Sequence, residues 1–292
     1  MMEKKKNSKI SACFVLGAGC LWGCMGILVK TMNKGGFNSI EVTAFRSVIT
    51  GFVMFAGLLA LDRKTLKIRM KDLWCFLGTG ILSVVFFNVC YFSCMTYTTL
   101  STAAILLYTA PAFVMVMSFF LFKEKFTGKK VTALLIAFLG CILVSGGFGK
   151  NSVSTMGLLT GLGAGLGYAL YSIFSRYAIQ RGYGSYTITA YTFLFAAIGS
   201  IPLLDWNHFG TCLKASVSVL PFAAFVAFMT TVAAYILYTK GLEGMENGKA
   251  SIMASIEPVV ASLVGFLLYN EVPTPMGIVG MLLVLVACVL MA

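Results

Sequence analysis

The sequence predicts an all-α integral membrane protein in which ten transmembrane helices form two inverted repeats of five helices each. Three observations lead to this fold class: an apolar composition, apolar runs of membrane-spanning length, and a sequence pattern that occurs twice. Of the 292 residues, 59% are hydrophobic and only 11% are charged, and the mean hydropathy is +0.92. Because soluble domains carry about 25% charged residues, this composition excludes an ordinary soluble domain.

Apolar runs of about 20 residues are long enough to cross a bilayer as helices. The runs are apolar on all sides, whereas strands of a membrane barrel alternate apolar and polar residues, so helices are predicted. The first run is too long for a signal peptide, and no small-residue cleavage site follows it, so we expect it to be retained. The ten predicted spans lie at about 10–30, 41–61, 73–94, 100–122, 130–147, 156–179, 186–204, 216–239, 249–269 and 275–292.

Two blocks of the sequence occur twice in the same order. Residues 16–19, Leu-Gly-Ala-Gly, recur as residues 162–165 at an offset of 146. Further residues recur at an offset of 147, among them Pro111 and Glu124, which correspond to Pro258 and Glu271. Matches in order, with the Pro–Glu spacing kept, indicate an internal duplication. The predicted repeats are residues 1–148 and 149–292.

The basic residues indicate the orientation of the chain. With a cytoplasmic N-terminus and ten spans, 17 of the 22 Lys and Arg residues lie on the cytoplasmic side. The positive-inside rule therefore favours cytoplasmic termini at both ends of the chain. The bias also explains the net charge of +12 without a nucleic-acid partner, since the basic loops face anionic lipid. The outer segments hold only Lys30, Lys34, Lys150 and Lys214, and Arg46 lies within a span.

An odd number of spans in each half has a functional consequence. The second half must enter the membrane from the opposite side, so the repeats are inverted. Inverted repeats exchange conformations and thereby open a central site first to one side and then to the other. This architecture predicts a transporter.

Small residues and prolines mark the helices expected near the centre. Gly19 and Gly23, like Gly161 and Gly165, have the spacing that lets helix backbones approach closely in lipid. The two interpretations are tight structural packing and a moving helix contact.

Pro111 and Pro258 lie within spans four and nine, where each proline frees the carbonyl four residues earlier, at Leu107 and Ala254. A plain kink is one interpretation. The equivalent placement in both halves favours another, in which the kinks line a cavity and a freed carbonyl binds a substrate amine.

Two charged residues lie inside predicted spans. Glu257 is about 10 Å along span nine, a depth at which an ionisable group normally faces a cavity or a partner and marks a pathway. Its counterpart in the first half is Ala110, so the repeated fold does not require the charge. Arg46 is nearer the outer end of span two, where it either snorkels in a structural or gating role or attracts an anionic substrate group.

Aromatic residues make up 13% of the chain. Trp22 and Tyr168 occupy equivalent positions in helices one and six, Tyr171 lies one turn from Tyr168, and Tyr108 is near Pro111. Such rings suit a mostly apolar pocket, although packing or an interfacial belt is the alternative for each of them. Glu124 and Glu271 end spans four and nine, and we interpret them as structural anchors or gate contacts.

The sequence lacks the usual signatures of an enzyme. The single histidine, His208, lies in a predicted outer loop, and the nine cysteines show no metal-ligand or paired spacing. A glycine-rich phosphate loop is also missing, so no ATP motor, cofactor or metal is expected. The energy source is then either an ion gradient, with protons as a candidate coupling ion, or the gradient of the substrate itself.

The order of these features resembles the EamA family of the drug/metabolite transporter superfamily. The resemblance rests on Gly19 to Gly23 with Lys30, on Glu41 with Arg46, on Ala103 to Glu124, and on Ala250 to Glu271. It implies a ten-helix plasma-membrane transporter with cytoplasmic termini. Members commonly export amino acids, other metabolites or toxic compounds.

We therefore predict a secondary transporter that exports amino acids or similar small amphipathic metabolites or drugs by alternating access. One alternative is a transporter of nucleotide sugars or phosphorylated metabolites, whose site needs several basic groups, whereas Arg46 is the one such group at depth. Another is a passive channel, whose flux neither saturates nor shows counterflow. The sequence leaves the substrate, direction, coupling ion and oligomeric state open.

Overall fold

A computed structural model describes residues 2–147 and 154–292. Every regular element in these ranges is helical and none is a strand, which confirms the predicted all-α class. The first half contains α1 (Met2–Gly23), α2 (Met25–Lys34), α3 (Ser39–Leu61), α4 (Leu73–Leu77), α5 (Phe86–Tyr97), α6 (Leu100–Leu107), α7 (Ala110–Phe122) and α8 (Gly128–Val144). The second half contains α9 (Thr155–Gln180), α10 (Ser185–Ser200), α11 (Trp206–Ala215), α12 (Leu220–Ala227), α13 (Ala234–Gly244), α14 (Asn247–Ala254), α15 (Glu257–Tyr269) and α16 (Pro275–Met291).

Eight helical segments among the described residues are long and apolar enough to cross a membrane. Large apolar side chains on their outer faces are exposed, for example Phe52 and Phe120 at 74% and 73%. Exposed apolar surface on this scale indicates contact with lipid rather than water. The eight segments are Lys9–Lys34, Ser39–Leu61, Met70–Tyr97, Leu100–Phe122, Thr155–Gln180, Ser185–Leu203, Leu220–Gly244 and Asn247–Tyr269.

The fifth and tenth predicted spans correspond to α8 and α16, of 17 residues each. They lie side by side, and a methyl group at Gly140 would come within 2.8 Å of the Gly280 carbonyl oxygen. This backbone contact explains why both helices carry a glycine at that point. The total of ten spans stays a prediction. The predicted boundary at 148/149 and Lys150 lie outside the described residues.

Helix ends recur between the halves together with the residues that form them. Lys123 ends α7 with a φ of 57°, and Asn270 ends α15 with a φ of 55°. The Thr127 hydroxyl then caps α8, and the Thr274 hydroxyl caps α16. Both pairs are 147 residues apart, which is the offset of the sequence repeat.

The two halves pack through matched helix pairs. In one set α1 of the first half contacts α13 and α15 of the second, and in the other α9 of the second half contacts α5 and α7 of the first. Helices α3 and α10, one from each half, also pack together. The centre of the molecule is therefore built by α1 and α9 with helices of the opposite half.

Candidate functional site

Spans four and nine are each interrupted in the middle. Span four consists of α6, which ends at Leu107, and α7, which begins at Ala110 with Pro111 in its first turn. Span nine consists of α14, which ends at Ala254, and α15, which begins at Glu257 with Pro258 in its first turn. Each proline therefore lies in the first turn of the second segment, where its missing N–H costs no intrahelical hydrogen bond.

Helix α1 packs its glycines against the interruption of span nine. A methyl group at Gly19 would lie 2.6 Å from the Ile256 side chain and 3.1 Å from the Ala254 carbonyl oxygen. One at Gly23 would lie 2.8 Å from the Glu257 carbonyl oxygen. A larger residue at either position would push the two helices apart.

Helix α9 packs against the interruption of span four in the same way. A methyl group at Gly165 would lie 2.5 Å from the Thr109 hydroxyl oxygen and 3.1 Å from the Leu106 carbonyl oxygen. One at Gly161 would lie 2.7 Å from the Leu106 side chain. The glycine-bearing sides of α1 and α9 thus each pack against the interrupted span of the opposite half.

Glu257 lies at the start of α15, partly buried between the halves. Its carboxyl interacts with the Tyr168 hydroxyl of α9 and electrostatically with Arg46 of α3. A narrow cavity of about 10 Å³ lies beside it, which is room for about one water molecule. The cavity is lined by Leu107, Tyr108, Ala110, Pro111, Tyr168, Ser251, Ala254, Ser255 and Glu257, and the Pro258 ring, which is buried, is not among these residues.

Arg46 is buried, with 6% of its surface exposed. One guanidinium nitrogen lies 3.4 Å from the Asn88 side-chain oxygen of α5, and another lies 3.8 Å from the Met25 sulfur. The Asn88 oxygen also accepts a hydrogen bond of 3.0 Å from Thr43, while its amide donates to the Val84 carbonyl at 2.7 Å. These contacts, all within the first half, fix Asn88 beside the guanidinium.

Aromatic rings form the wall on the other side of Tyr168. The Trp22 ring lies 5.9 Å from Tyr168, 5.3 Å from Tyr235 and 5.1 Å from Tyr238, measured between ring centroids. A second cavity of about 10 Å³ is enclosed here. Tyr168 lines both cavities.

Tyr171 lies deeper in the same cluster. Its ring packs edge-on against Tyr235 at 4.9 Å, and its hydroxyl forms a hydrogen bond of 2.7 Å with Thr239. The ring is only 4% exposed. Tyr171 therefore lines the second cavity together with Trp22 and Tyr168, whereas Tyr108 and Tyr168 line the cavity beside Glu257.

Two features of this centre were missed by the sequence analysis. Asn88 and Tyr235 belong to it, and Asn88 was detectable as a polar residue within an apolar run. Stretches of π-helix, Gly78–Val85 and Phe228–Ala233, precede these residues in spans three and eight. Such stretches shift the side chains that follow, and they are frequent at functional sites.

At one end of the molecule, called here the Glu124 end, the halves are joined by Glu124. Its carboxylate accepts hydrogen bonds from the backbone amides of Asn247 at 2.7 Å and Gly248 at 3.1 Å, at the start of α14. Arg176 of α9 donates to the Asn247 side chain at 2.8 Å and to the Met245 carbonyl. An ion pair of 2.8 Å between the buried Lys130 and Glu246 lies next to them.

At the opposite end, called the Glu271 end, the equivalent carboxylate is not docked. Glu271 pairs with Lys30, whose ammonium lies 3.7 Å from the centroid of the Tyr269 ring, and both charged side chains are largely exposed. The counterpart of Asn247 is Leu100, at the start of α6, which is 66% exposed. The two ends of the molecule therefore differ although their sequences correspond.

The Glu271 end also contains a cluster of three metal-ligating side chains. The sequence analysis predicted a loop around His208, but the structure has helix α11 there, which brings His208 and Cys212 to Glu41. The His208 Nδ1 atom lies 2.7 Å from a carboxylate oxygen of Glu41, which raises the pKa of His208 above its ordinary value. The expectation of no metal-ligand cluster, which was based on spacing along the chain, missed this group.

Comparison with known proteins identifies two repeats of one family. The model of the EamA-like transporter family matches residues 9–146 and again residues 155–292. The chain is 26% identical over 276 residues to an uncharacterized transporter of Bacillus subtilis strain 168, YxxF, covering 91% of this chain and 86% of that one. It is 28% identical over 272 residues to an uncharacterized transporter of Archaeoglobus fulgidus, covering 92% and 91%.

A solved structure shares the fold. It superposes with a TM-score of 0.77 at 18% sequence identity and covers 96% of this chain and 95% of that one.

Proposed function

We propose that this chain, which belongs to the EamA-like transporter family, is a secondary transporter that exports amino acids or similar small amphipathic metabolites by alternating access. The observation that carries the proposal is the central pair of opposite charges. Arg46 of the first half is buried and Glu257 of the second half lines a central cavity, and we propose that the two charges face one substrate there. We propose no catalytic activity for this site.

The central groups match the parts of an amphipathic zwitterion. The Glu257 carboxylate suits an amine, and the Arg46 guanidinium, held by Asn88, suits a carboxylate. The Trp22 and Tyr168 rings suit an apolar side chain. The cavities of about 10 Å³ admit one water each, so a substrate requires the halves to move apart.

The difference between the two ends supports alternating access. In the inverted-repeat scheme, a contact made at one end in one state is made by the equivalent residues at the other end in the opposite state. Glu124 docks on the first amides of α14, and its counterpart Glu271 would dock on those of Leu100 and Ser101 at the start of α6. The exchange of these two contacts is our proposal for the gating step.

The orientation follows from the positions of the basic loops. Contacts link the loop at Thr65 with Thr187, and Asp72 with Arg181, so these basic segments lie together at one end. We propose that this end, which is also the Glu124 end, faces the cytoplasm of a cell whose plasma membrane holds the protein. The described structure then has its cytoplasmic end closed. A proton on Glu257 is the proposed coupling ion.

The main alternative is a transporter of phosphorylated metabolites or nucleotide sugars. Phosphate groups favour several converging cations, and Arg46 is the one Lys or Arg that acts on Glu257 among the described residues. This favours a solute with a single carboxylate. A passive channel is the other alternative, and the docked Glu124 contact argues for a gated protein instead.

A ligand screen tests the proposal. Purified protein is heated with a panel of amino acids, sugar nucleotides and phosphorylated metabolites. A ligand that binds only the folded protein raises the Tm by an amount that grows as its concentration rises above its Kd. We expect stabilisation by one group of amino acids or related zwitterions, lost in Arg46→Gln and Glu257→Gln. Saturable counterflow of the same ligand in proteoliposomes completes the test. Stabilisation by phosphorylated ligands alone, or flux that neither saturates nor shows counterflow, would contradict it.

A further inference from the structure

The cluster at the Glu271 end is separate from the central site and has its own chemistry. We propose that Glu41, His208 and Cys212 bind a Zn²⁺ ion. Their ligand atoms, a carboxylate oxygen, an imidazole nitrogen and a thiol sulfur, all lie within 4.8 Å of one another. A mixed set of oxygen, nitrogen and sulfur donors is typical of a borderline-soft cation such as Zn²⁺ and is unsuited to Mg²⁺ or Ca²⁺.

Local structure presents two of the ligands on one helix face. Asp205 caps α11 by accepting hydrogen bonds from the backbone amides of Asn207 and His208, each at 3.1 Å. His208 and Cys212 are four residues apart, so they lie on the same side of this helix, one turn from each other. The Cys212 sulfur is 3.9 Å from His208 Nδ1 and 3.8 Å from Nε2.

The third ligand is fixed by the start of α3. Glu41 is the third residue of that helix, and one of its carboxylate oxygens accepts a hydrogen bond of 2.8 Å from the backbone amide of Asn38. This capping arrangement occupies one oxygen and directs the other toward His208, at 2.7 Å. A metal ion can use that second oxygen without breaking the cap.

Burial gives the cluster a need for positive charge. The Glu41 side chain is 0% exposed and Cys212 is 6% exposed, whereas the His208 side chain is 47% exposed. A buried carboxylate is stable only when a cation or hydrogen-bond donors compensate it, and among the described residues the His208 imidazole is the one side chain that pairs with Glu41. A divalent cation would compensate the carboxylate and a Cys212 thiolate together.

The distances require only small movements. Zinc binds nitrogen and oxygen at about 2.0–2.2 Å and thiolate sulfur at about 2.3 Å, so tetrahedral ligands lie about 3.3–3.8 Å apart. The sulfur–nitrogen distance of 3.9 Å is close to this range, and the oxygen–nitrogen distance of 2.7 Å would widen by about half an ångström. The carboxylate oxygen and the sulfur, which lie within 4.8 Å of each other, would approach by up to about 1 Å. The exposed side of His208 leaves a fourth position for water and a route for the ion to enter.

Binding would join the two halves. Glu41 belongs to the first repeat and α11 to the second, so one ion would connect them at the Glu271 end.

Cobalt substitution tests the proposal directly, because a Co²⁺–thiolate bond gives a near-ultraviolet charge-transfer band and tetrahedral Co²⁺ gives intense visible bands. The protein is purified in detergent without a polyhistidine tag, treated with chelator, and titrated with Co²⁺. We expect one equivalent of Co²⁺ to produce both sets of bands, and Zn²⁺ to remove them by competition. Cys212→Ser is expected to abolish the charge-transfer band, whereas the control Cys13→Ser, an exposed cysteine elsewhere, leaves it unchanged.

Additional variants distinguish loss of the site from loss of the fold. His208→Gln changes a half-exposed side chain, so it is expected to elute from size exclusion like the wild type and to weaken Zn²⁺ binding at least tenfold by calorimetry. Glu41→Gln is expected to weaken it similarly. The proposal would be overturned if the wild-type protein bound neither Co²⁺ nor Zn²⁺, or if Cys212→Ser and Cys13→Ser gave the same Co²⁺ spectrum. The cluster would then be only an ion pair between His208 and Glu41.

Discussion

The carboxylate of Glu124 caps helix α14 by accepting a hydrogen bond of 2.7 Å from the backbone amide of Asn247. The contact joins the end of span four, in the first half, to the start of span nine, in the second. Its counterpart at the other end, between Glu271 and the start of α6, is absent from the described structure, where Glu271 pairs with Lys30 instead. The same sequence pattern therefore forms the carboxylate–amide contact at one end of the molecule and lacks it at the other.

We expect Glu124→Gln to loosen the Glu124 end. A side-chain amide retains one acceptor oxygen but no charge, so it cannot bind both amides of α14 as the carboxylate does. The loss of such a cap costs about 1 kcal/mol. Amide hydrogen exchange at Asn247 and Gly248 should therefore become about fivefold faster, as measured by mass spectrometry of peptides covering α14.

Glu271→Gln is the matched control for this prediction. Its carboxylate has no amide partner in the described state, so exchange in α14 should stay at the wild-type rate. Equal effects of the two variants would show that the Glu124 contact does not hold the end closed.

Replacement of the central glycines should destabilise the protein. Gly19→Ala places a methyl group 3.1 Å from the Ala254 carbonyl oxygen and 2.6 Å from Ile256, and overpacking of this kind costs about 1–3 kcal/mol. Gly26→Ala is the control, because its methyl group would meet nothing within 4 Å. Thermal unfolding in detergent should give a lower Tm for Gly19→Ala and an unchanged or higher Tm for Gly26→Ala. A Tm for Gly19→Ala at or above that of the control would contradict the close packing of α1 on span nine.

Much of the fold could be predicted because the bilayer restricts it. Every backbone group in hydrocarbon needs an internal partner, so long apolar runs must form helices. The prolines likewise marked the positions at which spans four and nine are interrupted. The structure at the Glu271 end differed more from the prediction. Helix α11 is short, and its residues are too polar for a span, so the sequence analysis interpreted the segment as a loop.

The candidate site could be predicted only in part because its geometry is tertiary. Glu257 and Arg46 were recognisable as charges at depth, but nothing in the sequence indicated that Asn88 would hold the guanidinium. Tyr171 was grouped with Tyr168 from helical spacing, and both line the same cavity, but no pattern along the chain indicated that the Tyr171 hydroxyl would bond to Thr239. The cluster of Glu41 and His208 joins residues 167 positions apart, a distance over which spacing patterns carry no information.

Asn88 should act on binding through Arg46. Asn88→Ala removes the oxygen 3.4 Å from the guanidinium, so Arg46 would lose the group that orients it. We expect ligands found in the screen to bind about 5 to 30-fold more weakly, which corresponds to about 1–2 kcal/mol. The same change in an Arg46→Gln background should have no further effect on the Kd, and Asn207→Ala, on the surface, should have none in either background. An Asn88→Ala effect that persists in full without Arg46 would show that Asn88 acts independently of the guanidinium.

Glu257→Gln tests whether the central carboxylate acts in transport. The substitution keeps the shape of the side chain, so its contact with Tyr168 and the start of α15 should be preserved. It removes the negative charge that would bind a substrate amine and the site that would carry a coupling proton. We expect saturable transport in proteoliposomes to fall at least tenfold or to lose its dependence on pH, with wild-type amounts of folded protein.

Asp62→Asn, the same change of carboxylate to amide in an exposed loop, is the control and should transport normally. Glu257→Ala is a poorer test, because it also leaves a gap beside Tyr108 and Tyr168. A Glu257→Gln protein with the affinity, rate and pH profile of the wild type would show that the carboxylate is structural, and the charge pair with Arg46 would then not be the substrate site.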